Sequence, residues 1–369
     1  MIPASTSEKV IIAMSGGVDS SVAALLLKKA GYDVIGVTLR MWVDPLSEEK
    51  AGLLGKGCCS HEAVKDAQKV ASLLDIPHYV LNMRELFYKD VVSNFTSEYL
   101  LGRTPNPCVE CNRTVKFSSL LEKARGLGIN LLATGHYARI KKDQDSNHYQ
   151  LLRGLDRQKD QSYMLYVLTQ SELPFTLFPV GDKTKHEIRT LAKNNNLEVA
   201  NKKESQEICF IPDNDYRSFM ERMCPEAVRP GDIVTSKGEK LGRHQGIAFY
   251  TVGQRKGLGI TYSEPLYVIS IDALRNQVIV GPENETFSSG LVVGNLNYIS
   301  GIEPGKIIDL EVKIRYRASA VQAKLHPPKK GSAMVIFKEK QKAITPGQSA
   351  VFYLGEEVLG GGVINNSIP

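Results

Sequence analysis

The chain has 369 residues, 42% of them hydrophobic, enough to bury a core and, at roughly 150 residues per domain, enough for two or three domains. It has no run of about 18 apolar residues and no basic-then-apolar start, so neither a membrane span nor a secretory leader is expected and the expected compartment is the cytosol. Six cysteines are too few for a disulfide scaffold, and a net charge of +6 suits an anionic partner such as a nucleic acid without identifying one.

Val10 to Ala13 is a short apolar run followed by Ser15-Gly16-Gly17. Val22, Ala23, Leu25, Leu26 and Leu27 then read as a buried helix ending at Gly31, and Asp33 to Leu39 as a second strand. The alternation continues with a helix over 63–74, a strand over 78–81, a helix over 117–127 and a strand over 130–134, just before Gly135-His136. This α/β pattern predicts a doubly wound parallel sheet with ligands at the carboxyl ends of its strands. A further helix is expected over 185–194. Beyond about Pro212 the texture becomes short, Gly- and Pro-punctuated segments at 248–252, 267–272, 277–280, 307–316, 333–337 and 350–353, read as antiparallel β modules. Boundaries near 211 and 276 divide the chain into domains 1–211, 212–275 and 276–369.

Ser15-Gly16-Gly17-Val18-Asp19-Ser20 sits between the first strand and the first helix, where free N–H groups and the helix dipole favour an anion. The glycines allow close approach to oxyanions, Ser15 and Ser20 offer hydroxyls, and Asp19 is placed to hold the Mg²⁺ that accompanies a nucleotide. No lysine follows as in a Walker loop, so this is a different phosphate cradle. A plain Gly-Gly turn with a Ser/Asp cap is the competing reading of an isolated SGG. The full strand-SGGxDS-helix context resembles the PP-loop of ATP pyrophosphatases. That resemblance implies ATP, with Ala13, Met14, Ser15, Gly16, Gly17, Val18, Asp19 and Ser20 around the phosphates and Leu39 and Gly135 near the nucleoside.

The cysteines fall in three clusters: Cys58-Cys59-Ser60-His61, the Cys108-Val109-Glu110-Cys111 pair behind Pro105 and Pro107, and Cys209 in Ser205-Gln206-Glu207-Ile208-Cys209-Phe210. The two prolines predict a rigid loop around the CxxC, able to present a thiol. Buried structural cysteine, a zinc site and an iron–sulfur site all compete on spacing alone, although a lone CxxC lacks the matching second pair. Cys224, before a proline, reads as structural. No residue is assigned to a resident metal.

SGGVDS, GRTPNPCVECN, ATGHYAR, KDQSYML, SQEICFI, VGQRKGLGI and RYR occur here in the order found in bacterial tRNA-specific 2-thiouridylases, which the chain resembles over essentially its whole length. The resemblance implies a PP-loop domain, a small central β-rich domain and a C-terminal β-barrel. It also implies ATP-dependent 2-thiolation of the wobble uridine (position 34) of tRNA, with release of AMP and pyrophosphate. It makes Cys111 the nucleophile and Cys209 the persulfide carrier, with Asp19 supporting catalysis through magnesium. Asn106, Pro107 and Cys108 are placed at the target base, although some relatives carry Asp where this chain has Cys108. Lys159, Asp160, Gln161, Arg315 and Tyr316 fall at tRNA contacts, without which each segment reads as a solvated charged surface. The implied partners are the tRNA anticodon stem-loop and a persulfide sulfur donor or relay. His136 is left outside the catalytic core. Two other classes remain open at this point: another PP-loop ligase acting on a small metabolite, and a metal-stabilised RNA-binding protein that uses no ATP.

Overall fold

The computed structural model describes residues 8–46, 49, 61–202 and 208–369. Cys58, Cys59 and Ser205-Gln206-Glu207 lie outside the described residues, as does the side chain of His61. The chain divides into two compact units, one of Met1–Val91, Cys108–Asp215 and Glu356–Val358, the other of Val92–Pro107, Tyr216–Gly355 and Leu359–Pro369. Among the described residues no helix is long and apolar enough to cross a membrane.

The first unit contains β1 (Lys9–Ala13), β2 (Asp33–Arg40), β3 (His78–Asn82), β4 (Leu131–Thr134), a hairpin of β5 (Ala138–Lys142) and β6 (Tyr149–Arg153), and the two-residue β7 (Thr176–Leu177). Five of these form a parallel sheet in the order β3-β2-β1-β4-β7. The inner strands are apolar without alternation, as a parallel sheet covered on both faces requires: Val10 and Ile12 of β1 and all four residues of β4 are buried. Helix Val18–Lys29 packs Val22, Ala23 and Leu27 into this core. Sheet order runs outward from β1 to β3 and then restarts on the other side of β1 with β4. The crevice between the carboxyl ends of β1 and β4 is therefore the topological switch point, where open α/β sheets bind ligands. Residues 356–358 also belong to this unit, with Glu357 pairing Leu152 and Val358 pairing Leu151.

The CxxC is helical, which corrects the expected loop. Pro107 opens helix Pro107–Glu110, where its missing N–H is no loss. The chain then continues as a wide π-helical stretch, Cys111–Ser119, and an α-helix, Leu120–Gly126. Cys111 stands at the join between the two helical types, the kind of irregularity that clusters at functional positions.

In the second unit, β8 (Gly231–Thr235), β9 (Lys240–His244), β10 (Tyr267–Asp272) and β11 (Gln277–Gly281) form one sheet in the order β10-β11-β8-β9. Its core contains Ile233, Val268, Val278 and Val280. The boundary expected near 276 falls on the turn of the β10–β11 hairpin, where Asn276 adopts φ +52°, so β11 goes with the central module. The strand expected at 248–252 is instead a short 3₁₀ turn, Ile247–Phe249.

The remaining strands are β12 (Phe287–Tyr298), β13 (Ile308–Lys313), β14 (Val321–Leu325), β15 (Ala333–Lys342), β16 (Ser349–Leu354) and β17 (Glu357–Ile368). They run β12-β15-β14-β13-β16-β17, and a β12–β17 pairing closes them into a six-stranded barrel. Closure removes the exposed edges that an open sheet would leave. Leu291, Val312, Leu325, Val335, Phe352 and Ile364 fill the interior. Phe352 is fully buried there, so Phe352→Ala should lower the stability of this unit by about 3–5 kcal/mol, whereas Phe287→Ala, at a 37% exposed position, should cost far less. Denaturant midpoints of the two variants check the contrast.

Candidate functional site

The loop after β1 alternates. Met14, Gly16, Val18 and Ser20 are buried, while Ser15 is exposed and Ala13, Gly17 and Asp19 are half-buried. Met14 lies in the core and spends its N–H on the Val37 carbonyl at 2.8 Å; Val18 and, on β2, Leu39 are likewise buried. These apolar residues anchor the loop, leaving Ser15 exposed and Asp19 half-buried while Ser20 is turned inward. The Ser20 hydroxyl accepts from the Ser15 N–H at 3.2 Å and donates to the Gly17 carbonyl, also at 3.2 Å, which draws the loop into a ring. Gly16 has φ +68°, and a side chain there would meet the Ala63 carbonyl oxygen at 2.2 Å. Gly135, at the end of β4, is equally confined: a Cβ would lie 2.6 Å from the Ser20 nitrogen. The predicted Gly135 thus abuts the predicted loop across the switch point.

Two cations absent from the sequence reading stand at this loop. Lys185 donates from Nζ to both oxygens of Asp19, at 2.7 and 2.8 Å, and the Tyr137 hydroxyl donates to Asp19 Oδ1 at 2.6 Å. The Lys185 side chain is 11% exposed and that of Asp19 30%. Lys185 is held by its backbone: Thr184 caps helix Lys185–Asn194 in a reciprocal box with Glu187, and the Lys185 N–H donates to Asp156 Oδ2 at 3.0 Å. Lys202 donates from Nζ to the Gly16 carbonyl at 3.1 Å and to Asp66 Oδ2 at 2.5 Å. The Walker-type lysine missing from the loop has counterparts supplied by distant segments. The T-x-x-E signature at 184–187 was the readable signal for this helix start, but nothing in the sequence states what Lys185 reaches.

Asp19, Ser15 and Ser20 are hard oxygen donors of the kind Mg²⁺ takes, and Lys185 must give way for Asp19 to offer its carboxylate. Among the described residues no group of three or more His, Cys, Asp or Glu is placed to hold a metal ion.

The segment 159–161 organises this region from inside. The buried Asp160 carboxylate accepts from the Gly154 N–H, the Ser162 N–H and the Ser162 hydroxyl at 2.9–3.1 Å. Gln161 Oε1 accepts from the Tyr137 N–H at 3.0 Å, and the Gln161 N–H returns to the Tyr137 carbonyl at 2.9 Å. Asp160 and Gln161 therefore fix the turn and the backbone of Tyr137, leaving Lys159 as the half-buried cation of the three. His136 bonds Thr134 Oγ1 through Nδ1 at 2.7 Å and packs by Phe117 and Phe178. Burial, aided by Lys116, lowers its pKa well below the usual imidazole range.

Cys111 is buried and Cys108 exposed, with Asn106 and Pro107 half-buried just before them. Next to Cys111, Asn112 donates from Nδ2 to the Met164 carbonyl at 2.9 Å. Burial pushes the Glu110 carboxyl up, with Arg113 opposing and Asp90 reinforcing. Cys209 is half-buried and is followed by Phe210, which packs edge-on against Phe87 and accepts from the Asp44 N–H at 3.2 Å. Cys224 is buried, and burial raises its thiol, which suits the structural reading. In the second unit Arg315 Nη2 donates to the carbonyls of Ala343 and Lys342, and the Lys313 ammonium sits over the Tyr316 ring at 5.5 Å.

Three family models match: a tRNA methyl transferase HUP domain over residues 8–213, a tRNA methyl transferase PRC-barrel domain over 217–282 and an aminomethyltransferase beta-barrel domain over 288–364. A protein of Caldanaerobacter subterraneus named tRNA-specific 2-thiouridylase is 51% identical over 362 residues, covering 98% of this chain and 99% of that one. The chain belongs to the tRNA-specific 2-thiouridylase family. Further family members from Carboxydothermus hydrogenoformans and Clostridium perfringens are each 50% identical, covering 98% of this chain and 98% and 99% of their own. The family models carry a methyl-transfer label, while these near full-length relatives are named for thiolation. The observed α/β sheet, central β module and closed barrel are the three parts that the resemblance implied.

Lys185→Gln removes the cation and keeps the length of the side chain. It should weaken binding of ATP about tenfold, roughly 1.4 kcal/mol, near the lower limit for a hydrogen bond to a charged group. Calorimetric titration with ATP reads this directly, and an unchanged affinity would remove Lys185 from the nucleotide site.

Proposed function

We propose that this chain is an enzyme that uses ATP to replace the 2-oxygen of the wobble uridine of tRNA with sulfur. The observation that carries the reading is 51% identity over 98% of the chain to a protein named tRNA-specific 2-thiouridylase. Its support from geometry is the anion-favouring loop at the switch point, with two lysines close by.

A uridine carbonyl oxygen is a poor leaving group. In this reading the uridine O2 attacks the α-phosphorus of ATP, pyrophosphate departs, and O2 becomes the bridging oxygen of an AMP ester. Ser15, Gly16 and Gly17 cradle the phosphates, with Lys185 and Lys202 balancing their charge; Leu39 and Gly135 lie by the nucleoside. Asp19, Ser15 and Ser20 would hold Mg²⁺, which supplies further charge neutralisation. A sulfur donor loads Cys209 as a persulfide, Cys209–S–SH. Along one route the Cys111 thiolate attacks the Cys209 sulfur, forming a Cys111–Cys209 disulfide and expelling hydrosulfide, which adds to C2 as AMP leaves with O2. Along the other, the terminal persulfide sulfur adds to C2 first, AMP leaves, and Cys111 then attacks the Cys209 sulfur to free the 2-thiouridine. Both end with the same disulfide, which an external thiol reductant reopens.

Asn106, Pro107 and Cys108 stand just before the nucleophile, where an extruded base would enter. Lys159, Arg315 and Tyr316 are proposed to touch the tRNA, with Asp160 and Gln161 shaping the turn that presents Lys159. The Arg315 bonds to carbonyls at the end of β15 make its contribution one of shape as well as charge.

Mass spectrometry of tRNA nucleosides after incubation with ATP, Mg²⁺ and a persulfide donor tests the reaction. The expected product is one sulfur-for-oxygen exchange at the wobble uridine. Cys111→Ser and Cys209→Ser should each abolish that product while tRNA affinity stays within about twofold, and substantial turnover by either variant would overturn its assigned role.

A further inference from the structure

The stretch leading into the CxxC helix is gripped by a turn of the barrel. The Thr104 N–H donates to the Pro346 carbonyl at 2.8 Å, and Gln348 Nε2 donates to the carbonyls of Thr104 at 2.9 Å and Pro105 at 3.2 Å. Between them, Gly347 has φ +90°, and a Cβ there would lie 2.8, 2.9 and 3.0 Å from the backbone N, O and C of Thr104. The turn is itself braced: the Gly347 N–H donates to the Ile364 carbonyl at 2.9 Å, and the Ile364 N–H to the Gln348 carbonyl at 2.8 Å. From the central module, Thr251 Oγ1 meets Thr104 Oγ1 at 3.3 Å, and Gly102 leaves no room for a Cβ against Ile271 at 2.5 Å. All these residues belong to the second unit.

Residues 103–106 form neither helix nor strand. Their backbone groups need partners from elsewhere, and the turn 346–348 supplies them at Thr104 and Pro105. Downstream the chain reads Pro105-Asn106-Pro107-Cys108-Val109-Glu110-Cys111 without a glycine. The two prolines fix φ on either side of Asn106, and helix Pro107–Glu110 begins at once. A displacement at Thr104 therefore has little slack to be absorbed before it reaches Cys111.

We propose that Pro346-Gly347-Gln348 is a positioning clamp that fixes the segment 104–107, the start of the helical stretch that bears Cys111. This rests on the reading of Cys111 as nucleophile, but the clamp has a readout of its own. The experiment compares the full-length chain with Gly347→Ala, which presses a methyl on the Thr104 backbone, and Gln348→Met, which deletes the amide donor. Gly301→Ala is the control, because Gly301 has φ +76° but nothing within 4 Å of its Cβ position. Three quantities are measured: kcat for tRNA thiolation, the tRNA dissociation constant, and the rate of Cys111 alkylation by iodoacetamide relative to buried Cys224 in the absence of tRNA.

The expected result for both clamp variants is a fall in kcat of about tenfold, a tRNA dissociation constant within twofold, and Cys111 alkylation at least threefold faster, with the control unchanged. The clamp is overturned if Cys111 alkylation is unchanged, or if turnover falls only in step with tRNA affinity. Should Gly347→Ala fail to fold, Gln348→Met decides by the same readings. A wild-type chain that thiolates no tRNA would instead overturn the proposed reaction, while alkylation still reads the clamp.

Discussion

Where the end of β4 meets the first turn of helix Val18–Lys29, the backbones come so close that position 135 tolerates no side chain: the would-be Cβ of Gly135 sits 2.6 Å from the Ser20 nitrogen and 2.8 Å from the Asp19 carbonyl carbon. Much of the first unit's chemistry depends on this approach. It carries Tyr137 to within 2.6 Å of Asp19, and Tyr137 is in turn paired with Gln161. An added methyl at 135 would have to push either β4 or the helix away, separating the hydroxyl from the carboxylate as well as widening the crevice. The polar arrangement at the switch point is thus set by a steric condition on a residue that has no polar side chain.

Charge at the loop follows a different logic from a lysine-bearing phosphate loop. Asp19 places a carboxylate where the helix N-terminus favours an anion, in the same loop proposed to take phosphate. Lys185 neutralises it at 2.7 Å in a largely buried pair. Removing Asp19 would leave the Lys185 ammonium poorly solvated, whereas Asp19 keeps partial access to water when Lys185 is changed. Bringing the lysine from helix Lys185–Asn194, with Lys202 beyond it, makes completion of the site depend on the tertiary fold of the whole first unit.

Elements whose pattern is local were legible in the sequence. β1, β2 and helix Lys185–Asn194 lie close to their expected positions because uninterrupted apolar runs and a capping box are local signals. The CxxC was misread because a proline ends a helix in its interior but opens one at its first position, and sequence alone does not separate these. The β5–β6 hairpin escaped notice because four of its ten residues are charged and only Ala138 and Leu151 are buried. Loop positions Ser15 to Ser20 were readable as a candidate anion site, but Lys185 and Lys202 were not, since their partners in the loop lie more than 160 positions away. Asp160 and Gln161 look like a solvated polar run, and only the fold shows them turned inward on Gly154, Ser162 and Tyr137.

Glu356 to Val358 follow a long stretch of the second unit in the chain, yet they belong to the first unit, where Glu356 pairs with Arg139 and Arg157 and Val358 with Leu151. A ribosome working from the amino end therefore delivers Glu356 to Val358 only after residues 216–355 of the second unit. Nascent chains stalled or cut before this point hold the phosphate loop and the CxxC but lack that strand partner. The order of synthesis thereby delays completion of the first unit until residues 216–355 of the second have also been made.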